Sequence, residues 1–303
     1  MDYVAGVDLG GTKILTALAG ADGNIVRRVK VATGAARGLD AVLDRMVESV
    51  REAAAGVTLA AVGVGAPGPL DHTCGLVYDA PNLGWRDVPL GGMLRDRLGV
   101  PVFVENDANC AALGEYKRGA GQNCGHMVYV TVSTGIGGGL ILDGRIYHGE
   151  AGGAGEIGHM ILDPLGPPCN CGRNGCLEAF ASGTAIAREA RAARDGPLAG
   201  LETVTARDVA AAARQGDPQA GRIMRDAFIH LGRGLAAVIT LLNPRLVVVG
   251  GGVMAGGSGF LGVARAEAAR WTYGPAWERV EVVPALLGPD SGVVGAVALA
   301  RRE

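Results

Sequence analysis

The sequence predicts an α/β fold built from two related lobes that face a cleft. The first observation is a strand, a glycine turn and a second strand in YVAGVDLGGTKILTALAG, and the same arrangement returns in HMVYVTVSTGIGGGLILDG roughly 120 residues later. The second is a buried strand that ends in glycines, in LAAVGVGAPG and again in RLVVVGGGV roughly 185 residues later. A duplication of this kind predicts two lobes with one common α/β plan.

Each element follows from its own pattern. Val4–Leu9 and Ile14–Leu18 are apolar and partly β-branched, so they predict the two strands of a hairpin around Gly10-Gly11. Apolar residues three and four positions apart predict an amphipathic helix over 39–55. The remaining predicted elements are, in chain order, a buried strand from 59 that ends in a Gly/Pro loop, a strand over Val100–Val104, a helix over Ala108–Tyr116, a strand–turn–strand over 126–144, helices at 184–194, 206–214 and 217–242, a buried strand in 245–253, and a last helix over 290–300 that Asp290 or Ser291 caps.

The two lobes receive boundaries from this pattern. We place a small N-terminal lobe at 1–115 and expect the C-terminal helix within 290–303 to complete it. The large lobe, 116–289, then contains the cysteine-rich loop and the second glycine turn. A chain of 303 residues is long enough for about two domains of ordinary size.

Composition and charge exclude several classes of protein. A net charge of -2 argues against a nucleic-acid partner held by bulk charge. The N-terminus MDYVAGVDLGG has no basic segment followed by an apolar one, so it does not predict a signal peptide. No apolar run approaches the roughly 18 residues of a membrane helix. We therefore expect a cytoplasmic protein with reduced thiols and no membrane partner.

The densest chemical signal is the segment GHMILDPLGPPCNCGRNGCLE. It places one histidine, His159, ahead of three cysteines, Cys169, Cys171 and Cys176. One imidazole and three thiolates form a complete tetrahedral shell for structural zinc. The alternative is a disulfide with one spare thiol, which requires an oxidising compartment that nothing else in the sequence indicates.

Two glycine-rich turns are candidates for phosphate binding. In the first, Asp8 precedes Gly10, Gly11 and Thr12; the second is STGIGGG, which includes Thr134 and Gly135. Glycines let backbone N–H groups approach phosphate oxygens, a threonine adds a hydroxyl donor, and a nearby aspartate can orient Mg²⁺ through water. The simpler alternative is an ordinary hairpin turn. Neither turn is a Walker A motif, and the GGG after the strand at 245–249 departs from the dinucleotide-binding fingerprint.

Glu105-Asn106-Asp107 stands where a predicted strand ends and a predicted helix begins. Asp107 in this position can cap the helix, because aspartate is a preferred N-cap. It can also act as a general base that accepts a hydroxyl proton during phosphoryl transfer, held ionised by the helix N-terminus. The residues by themselves leave both interpretations open.

The cysteine-rich segment resembles the zinc signature of the ROK family (repressors, open reading frames and sugar kinases). That signature is a histidine, nine residues and C-x-C-G-x-x-G-C-x-E, and the match from His159 to Glu178 has no gap or substitution. The resemblance covers nearly the whole chain. It implies a two-lobed actin-like ATPase, or ribonuclease H-like, fold with a cleft between the lobes.

The resemblance also implies roles for individual residues. In the E-N-D motif it makes Asp107 the general base. It places a set of polar side chains on the sugar: Asn82, Asn106, Asp107, Glu156, His159 and Glu178. It places a second set near the nucleotide: Asp8, Gly10, Gly11, Thr12, Thr134, Gly135, Gly251 and Gly252. His159 would direct one ring nitrogen to zinc and the other to the sugar.

The resemblance implies ATP-dependent phosphorylation of a hexose at its 6-hydroxyl. It also implies a structural Zn²⁺, Mg²⁺ bound together with ATP, and a homo-oligomer. Glucose is the favoured sugar. Kinases of N-acetylmannosamine, N-acetylglucosamine, fructose or allose are the alternatives. A sugar-responsive regulator is disfavoured, because the first hairpin begins at residue 4 and leaves no room for a helix-turn-helix domain ahead of it. An inactive sugar-binding protein is disfavoured by Asp107 and the two glycine turns.

Overall fold

A computed structural model describes residues 3–192, 198 and 203–303. Its contacts divide the chain into two compact units. The first comprises Met1–Asn123, Gly139–Ala154 and Asp290–Glu303, and the second comprises Cys124–Gly138 and Gly155–Pro289. Within the described residues, none of the helices combines the length and the apolar character needed to cross a membrane.

Short runs of strands and of helices follow one another along the chain. The strands are β1 (Tyr3–Leu9), β2 (Lys13–Ala19), β3 (Ile25–Ala32), β4 (Leu59–Ala66), β5 (Leu70–Asp71), β6 (Leu76–Ala80), β7 (Trp85–Val88), β8 (Val102–Asn106), β9 (Met127–Val132), β10 (Ile136–Leu142), β11 (Arg145–Ile146), β12 (Leu246–Gly250) and β13 (Glu281–Pro284). The α-helices are α1 (Leu39–Ala53), α2 (Leu90–Leu98), α3 (Asp107–Arg118), α4 (Leu177–Ala181), α5 (Gly183–Ala192), α6 (Ala206–Arg214), α7 (Pro218–Leu242), α8 (Gly252–Gly257), α9 (Leu261–Trp271), α10 (Gly274–Trp277) and α11 (Ser291–Ala300).

Two five-stranded sheets share one plan. The first has the order β3-β2-β1-β4-β8, in which β1–β2 and β2–β3 are antiparallel and β4 runs parallel to both β1 and β8. The second has the order β11-β10-β9-β12-β13, in which β10–β11 is antiparallel and β12 runs parallel to β9 and β13. The duplication predicted from the sequence is therefore confirmed. A third, small sheet has the order β5-β6-β7.

Most predicted elements occur with shifts of one or two residues at their ends. The helices predicted at 206–214 and 217–242 are α6 and α7, and Asp217 caps α7 by accepting the N–H of Ala220. The helix predicted over 184–194 is α5, and its last two predicted positions, 193 and 194, lie outside the described residues.

Asp290, one of the two caps predicted for the last helix, occupies its N-cap position. Asp290 precedes α11 without a capping hydrogen bond from its side chain. Ser291 is the first residue of the helix, and its hydroxyl donates to Oε1 of Glu115 at 2.7 Å. The Ser291 hydroxyl, which the sequence pattern predicts as a helix cap, therefore donates to the buried carboxylate of Glu115 instead.

In the first unit the sheet is packed on both faces. Because side chains alternate along a strand, Val7 and Leu9 of β1 pack with α1, whereas Gly6 and Asp8 face α11. A Cβ at Gly6 would lie 2.6 Å from the backbone nitrogen of Val297. Glycine thus lets α11 approach the sheet closely, beside the end of β1 where Asp8 stands.

Helix α3 is held against α11 by two glycines. A Cβ at Gly114 would collide with the carbonyl oxygen of Ser291, and a Cβ at Gly295 would collide with that of Cys110. The two helix backbones therefore approach more closely than larger residues permit. This packing fixes the N-terminal end of α3, where Asp107 stands.

The structure groups Gly139–Ala154 with the first unit, whereas the sequence analysis placed them in the large lobe. The physical reason is contact with α3. A Cβ at Gly139 would lie 2.6 Å from that of Ala112, and Gly144 lies beside the hydroxyl of Tyr116. His148 in addition hydrogen-bonds Glu105 at the end of β8.

Candidate active site and metal centre

The N-cap of α3 is Asn106. Its Oδ1 accepts the backbone N–H groups of Ala108 at 2.9 Å and Asn109 at 3.2 Å. Asp107 is the first residue of the helix, partly exposed, with Oδ1 2.8 Å from the N–H of Ala108. The capping role considered for Asp107 thus belongs to its neighbour. A carboxylate in the first turn remains, where the helix dipole favours its charged form.

Capping leaves Asn106 with limited capacity for a ligand. Both lone-pair positions of its Oδ1 are used, and its Nδ2 donates one hydrogen to the carbonyl oxygen of Gly68 at 3.2 Å. The second hydrogen of Nδ2 remains for a ligand. If the Asn106 side chain contacts a ligand hydroxyl, its Nδ2 is therefore the donor.

The first glycine turn is closed by its own backbone and by Thr33. The N–H of Gly10 donates to the carbonyl oxygen of Lys13 at 2.9 Å, and the Thr33 hydroxyl donates to that of Gly10 at 2.6 Å. The Thr33 N–H donates to the carbonyl oxygen of Thr12 at 3.0 Å. Gly10 consequently shapes the turn instead of offering its N–H to a phosphate.

Asn82 lies next to this turn. A Cβ at Gly11 would come 3.3 Å from the Cβ of Asn82, so the structure brings these two predicted site residues together. Asp8 is close by on β1, and a Cβ at Gly292 would lie 3.0 Å from its carboxyl group. Burial raises the pKa of Asp8, and the nearby charge of Lys13 offsets this only in part.

Three carboxylates act electrostatically on the buried thiol of Cys110. Burial, followed by the charges of Glu105, Asp8 and Asp107, raises the pKa of this thiol well above its usual value. Asp8 of β1 and Asp107 of α3 therefore both influence the charge state of one sulfur atom. This end of the first unit collects negative charge, which is suited to a cation.

The second glycine turn is tied to the segment 178–184. The N–H of Ile136 donates to Oε2 of Glu178 at 2.9 Å. The carbonyl oxygen of Ser133 accepts the N–H of Gly183 at 2.8 Å, and that of Thr134 accepts the hydroxyl of Thr184 at 2.8 Å. Gly135 itself sits against the Glu178 carboxylate, where a Cβ would collide with it.

Gly251 and Gly252 lie beside the same turn. Gly251 has φ 96°, a left-handed conformation that favours glycine, and a Cβ there would collide with the carbonyl oxygen of Val132. A Cβ at Gly252 would lie 3.6 Å from Oγ of Ser133. The second unit thus brings Gly251 and Gly252 next to the turn that contains Gly135, three of the glycines predicted to lie near the nucleotide.

The four predicted metal ligands converge. The ligand atoms of His159, Cys169, Cys171 and Cys176 all lie within 4.8 Å of one another. The sulfurs of Cys171 and Cys176 are 3.6 Å apart, and Nδ1 of His159 is 3.8 Å from Sγ of Cys169. A tetrahedron with Zn–S bonds of about 2.3 Å has edges of about 3.8 Å, so the donor set and its spacing fit zinc.

The thiols need a cation to act together as ligands. Burial raises the pKa of Cys169 to about 12 and raises that of Cys176, whereas a hydrogen bond from the backbone of Arg173 lowers the pKa of Cys171 to about 7. Without a cation only Cys171 is close to deprotonation at neutral pH. A bound metal dication would stabilise all three thiolates.

Two glutamates flank the cysteine cluster. Nε2 of His159 lies 3.9 Å from Oε2 of Glu156, on the opposite side of the ring from Cys169. Oε1 of Glu178 lies 3.8 Å from Sγ of Cys169. The imidazole therefore faces the metal position with one nitrogen and a carboxylate with the other.

Sequence reasoning missed one neighbour of the E-N-D motif. His148 hydrogen-bonds Glu105 and stacks on His72, but 43 positions separate His148 from Glu105. No motif in the sequence links the two. Glu105 belongs to the motif, but the sequence pattern assigned it no role of its own.

Comparisons with known proteins agree with this arrangement. The model of the ROK family matches residues 4–303. The glucokinase of Streptomyces coelicolor is 39% identical, over 99% of this chain and 98% of that protein. The N-acetylmannosamine kinase of Escherichia coli O139:H28 is 37% identical, over 98% of each. A solved ROK family glucokinase from Streptomyces griseus, in complex with glucose and AMPPNP, is 38% identical with a TM-score of 0.88, over 99% of this chain and 100% of that one. These matches confirm the predicted actin-like α/β fold, and the chain belongs to the ROK family.

Proposed function

We propose that this protein is a glucokinase, which transfers the γ-phosphoryl group of ATP to the 6-hydroxyl of glucose. The observation that carries the proposal is similarity over the full chain to glucokinases, at 39% identity to the Streptomyces coelicolor enzyme. The described residues add what the reaction needs. There is a carboxylate at a helix N-terminus, there are two glycine turns, and there is a set of polar side chains suited to a polyol.

In the proposed mechanism Asp107 is the general base. The sugar oxygen attacks the γ-phosphorus in line, its proton passes to the Asp107 carboxylate, and ADP leaves with the electrons of the broken P–O bond. The N-terminus of α3 holds the carboxylate ionised. Asn106 makes the capping bonds, so proton transfer to Asp107 would leave the helix cap in place.

The glycine turns are proposed to hold the nucleotide. Backbone N–H groups around Gly11 and Thr12, and around Thr134 and Gly135, would donate to phosphate oxygens. Mg²⁺ accompanying ATP would neutralise charge that develops on the phosphates. Asp8 is proposed to orient that ion through water. Gly251 and Gly252 would lie near the adenosine.

The sugar contacts are proposed on six polar side chains. They are Asn82, Asn106, Asp107, Glu156, His159 and Glu178. Amides and carboxylates suit glucose because each hydroxyl both donates and accepts. Zinc held by His159 and the three cysteines would fix the ring orientation of His159 and order the loop that ends at Glu178.

A second candidate is phosphorylation of N-acetylmannosamine, favoured by the 37% identity to an N-acetylmannosamine kinase. A sugar-responsive regulator or an inactive sugar-binding protein is the candidate of a different class.

We further propose that the enzyme acts in the cytoplasm, where ATP is present and thiols stay reduced. We also propose that it forms a homo-oligomer, a dimer or a tetramer.

A coupled assay of ADP release with a panel of sugars tests the proposal. The panel contains glucose, N-acetylmannosamine, N-acetylglucosamine, fructose and allose, and the product is checked for phosphate on the 6-oxygen. The highest kcat/KM with glucose is expected. A higher kcat/KM with N-acetylmannosamine would replace glucose by that sugar. Sugar binding by calorimetry without ADP release would indicate a regulator or an inactive binder.

A further inference from the structure

Glu105, at the end of β8, is a buried carboxylate with all of its described partners in the first unit. It is 2% exposed. Its Oε1 accepts the backbone N–H of Asn106 at 2.9 Å and Nδ2 of Asn109 at 3.0 Å. Its Oε2 is 2.6 Å from Nε2 of His148. A carboxylate this buried needs such partners, because an unpaired charge in the interior is strongly destabilising.

His148 is held on a second side by stacking. Its ring lies on that of His72 with centroids 3.6 Å apart and planes 3° from parallel. Its backbone carbonyl oxygen accepts the N–H of Ala154 at 3.0 Å. The imidazole therefore reaches Glu105 from a fixed position, and a short contact of this length indicates that Nε2 carries a hydrogen.

The Glu105 carboxylate is in its charged form. Burial raises its pKa, but the hydrogen bond and charge of His148, with the hydrogen bonds from Asn109 and Asn106, outweigh that effect and lower the pKa overall. A carboxylate that accepts three hydrogen bonds is oriented by all of them. Two of those bonds come from the residues on either side of Asp107 and Ala108.

We propose that Glu105 and His148 are positioning residues for the general base. Glu105 holds the backbone of Asn106, immediately before Asp107, and the side chain of Asn109 in the first turn of α3. His148 holds Glu105. Neither residue is proposed to touch substrate. The role rests on the proposed function, because Asp107 needs accurate placement only if it accepts the hydroxyl proton.

Asn109 makes this arrangement sensitive to loss of Glu105. Among the described residues its buried Oδ1 has no hydrogen-bond partner. The bond from its Nδ2 to Glu105 therefore has no counterpart at the other atom of the amide. If His148 is removed, Oε2 of Glu105 loses its donor inside a buried environment. Rotation of the carboxylate toward water would then restore its hydrogen bonding and lower its free energy. That rotation would break its bonds to Asn106 and Asn109, so the first turn of α3 would become less rigid.

The test compares His148→Ala, His148→Gln and Glu105→Gln with the matched control His126→Ala, whose side chain is exposed. Glutamine at 148 keeps an N–H donor, whereas alanine does not. His148→Ala is expected to lower kcat by about 10- to 100-fold, since misplacement of a reacting group by about 1 Å has effects of that size. KM for ATP should stay within about twofold. His148→Gln should recover at least part of kcat, and the control should keep it.

Turnover of folded His148→Ala within twofold of the wild type would overturn the proposal. So would a loss of kcat that merely follows the folded fraction in a thermal melt, or a His148→Gln variant whose kcat is no higher than that of His148→Ala.

Amide hydrogen exchange at Ala108 and Asn109 gives a readout that does not depend on activity. Exchange in His148→Ala should be at least about tenfold faster, and unchanged exchange would contradict the positioning role. If the wild type phosphorylates no sugar, the proposed function fails while the exchange result still stands.

Discussion

Glu178 accepts the backbone N–H of Ile136 at 2.9 Å, and so it joins the second glycine turn to the cysteine-rich loop. The other oxygen of the same carboxylate lies 3.8 Å from Sγ of Cys169. A residue expected to contact the sugar therefore also supports the turn expected to contact phosphates. Sugar and nucleotide binding should both depend on how Glu178 is held.

Substitution of Glu178 is expected to separate these two tasks. Glutamine keeps an oxygen that can accept the Ile136 N–H, whereas alanine removes it. Glu178→Ala should raise KM for both glucose and ATP, and Glu178→Gln should raise mainly KM for glucose. Steady-state kinetics with each substrate varied in turn measures this. Glu156→Ala is the control and should raise only the glucose KM. An unchanged ATP KM in Glu178→Ala would show that the turn does not need this bond.

One zinc ion per chain is expected. Protein purified without metal-binding tags should contain about one zinc per chain by elemental analysis. Removal by a chelator should weaken ATP binding as well as glucose binding, because Glu178 follows the predicted metal ligand Cys176 and accepts a hydrogen bond from the second glycine turn. Cys176→Ser should lower thermal stability and both affinities. Cys74→Ser, at an exposed cysteine outside the cluster, should change neither. Protein without metal and with Cys169 in a disulfide would contradict the metal centre.

Asp107→Asn is expected to abolish most turnover and to leave the fold intact. Asparagine cannot take the hydroxyl proton, so kcat should fall by ~10²–10⁴-fold. Calorimetric titration should still detect glucose and Mg-ATP. Near-normal turnover in the folded variant would remove Asp107 as the base.

Asn106→Ala is expected to affect stability, which Asp107→Asn should not. Asn106 accepts two backbone N–H groups at the start of α3. Loss of an N-cap costs about 0.5–2 kcal/mol, so the free energy of unfolding should drop by that amount in a urea titration. Equal stability losses in the two variants would contradict the assignment of the cap.

Two glycines in helices are expected to respond oppositely to alanine. Alanine normally stabilises a helix interior by about 1 kcal/mol relative to glycine. Gly92 of α2 has open space where a Cβ would stand, so Gly92→Ala should raise the melting temperature. Gly295→Ala would collide with the carbonyl oxygen of Cys110 and should lower stability by about 1–3 kcal/mol. A stabilised Gly295→Ala would show that α3 and α11 separate at little cost. Thermal melts of both variants decide this.

The sequence by itself determined features whose parts are close along the chain. The four predicted metal ligands lie within the segment from His159 to Cys176, and the number and spacing of these residues predicted the cluster that the structure assembles. Each glycine turn is likewise encoded within a few residues, and the repeat of strand and turn predicted the duplicated sheet. Local backbone geometry follows from a short stretch of sequence, which is why these predictions hold.

Only the tertiary structure decided which distant groups meet. It gave the cap of α3 to Asn106 instead of Asp107, because that choice depends on backbone angles at the end of β8. It placed His148 on Glu105 and Glu178 on Ile136, pairs separated by 43 and 42 positions. Such contacts arise from how strands and loops pack, and no short pattern encodes them. The sequence therefore supplied the chemical groups, and the packing of the chain determined which of them hold one another in place.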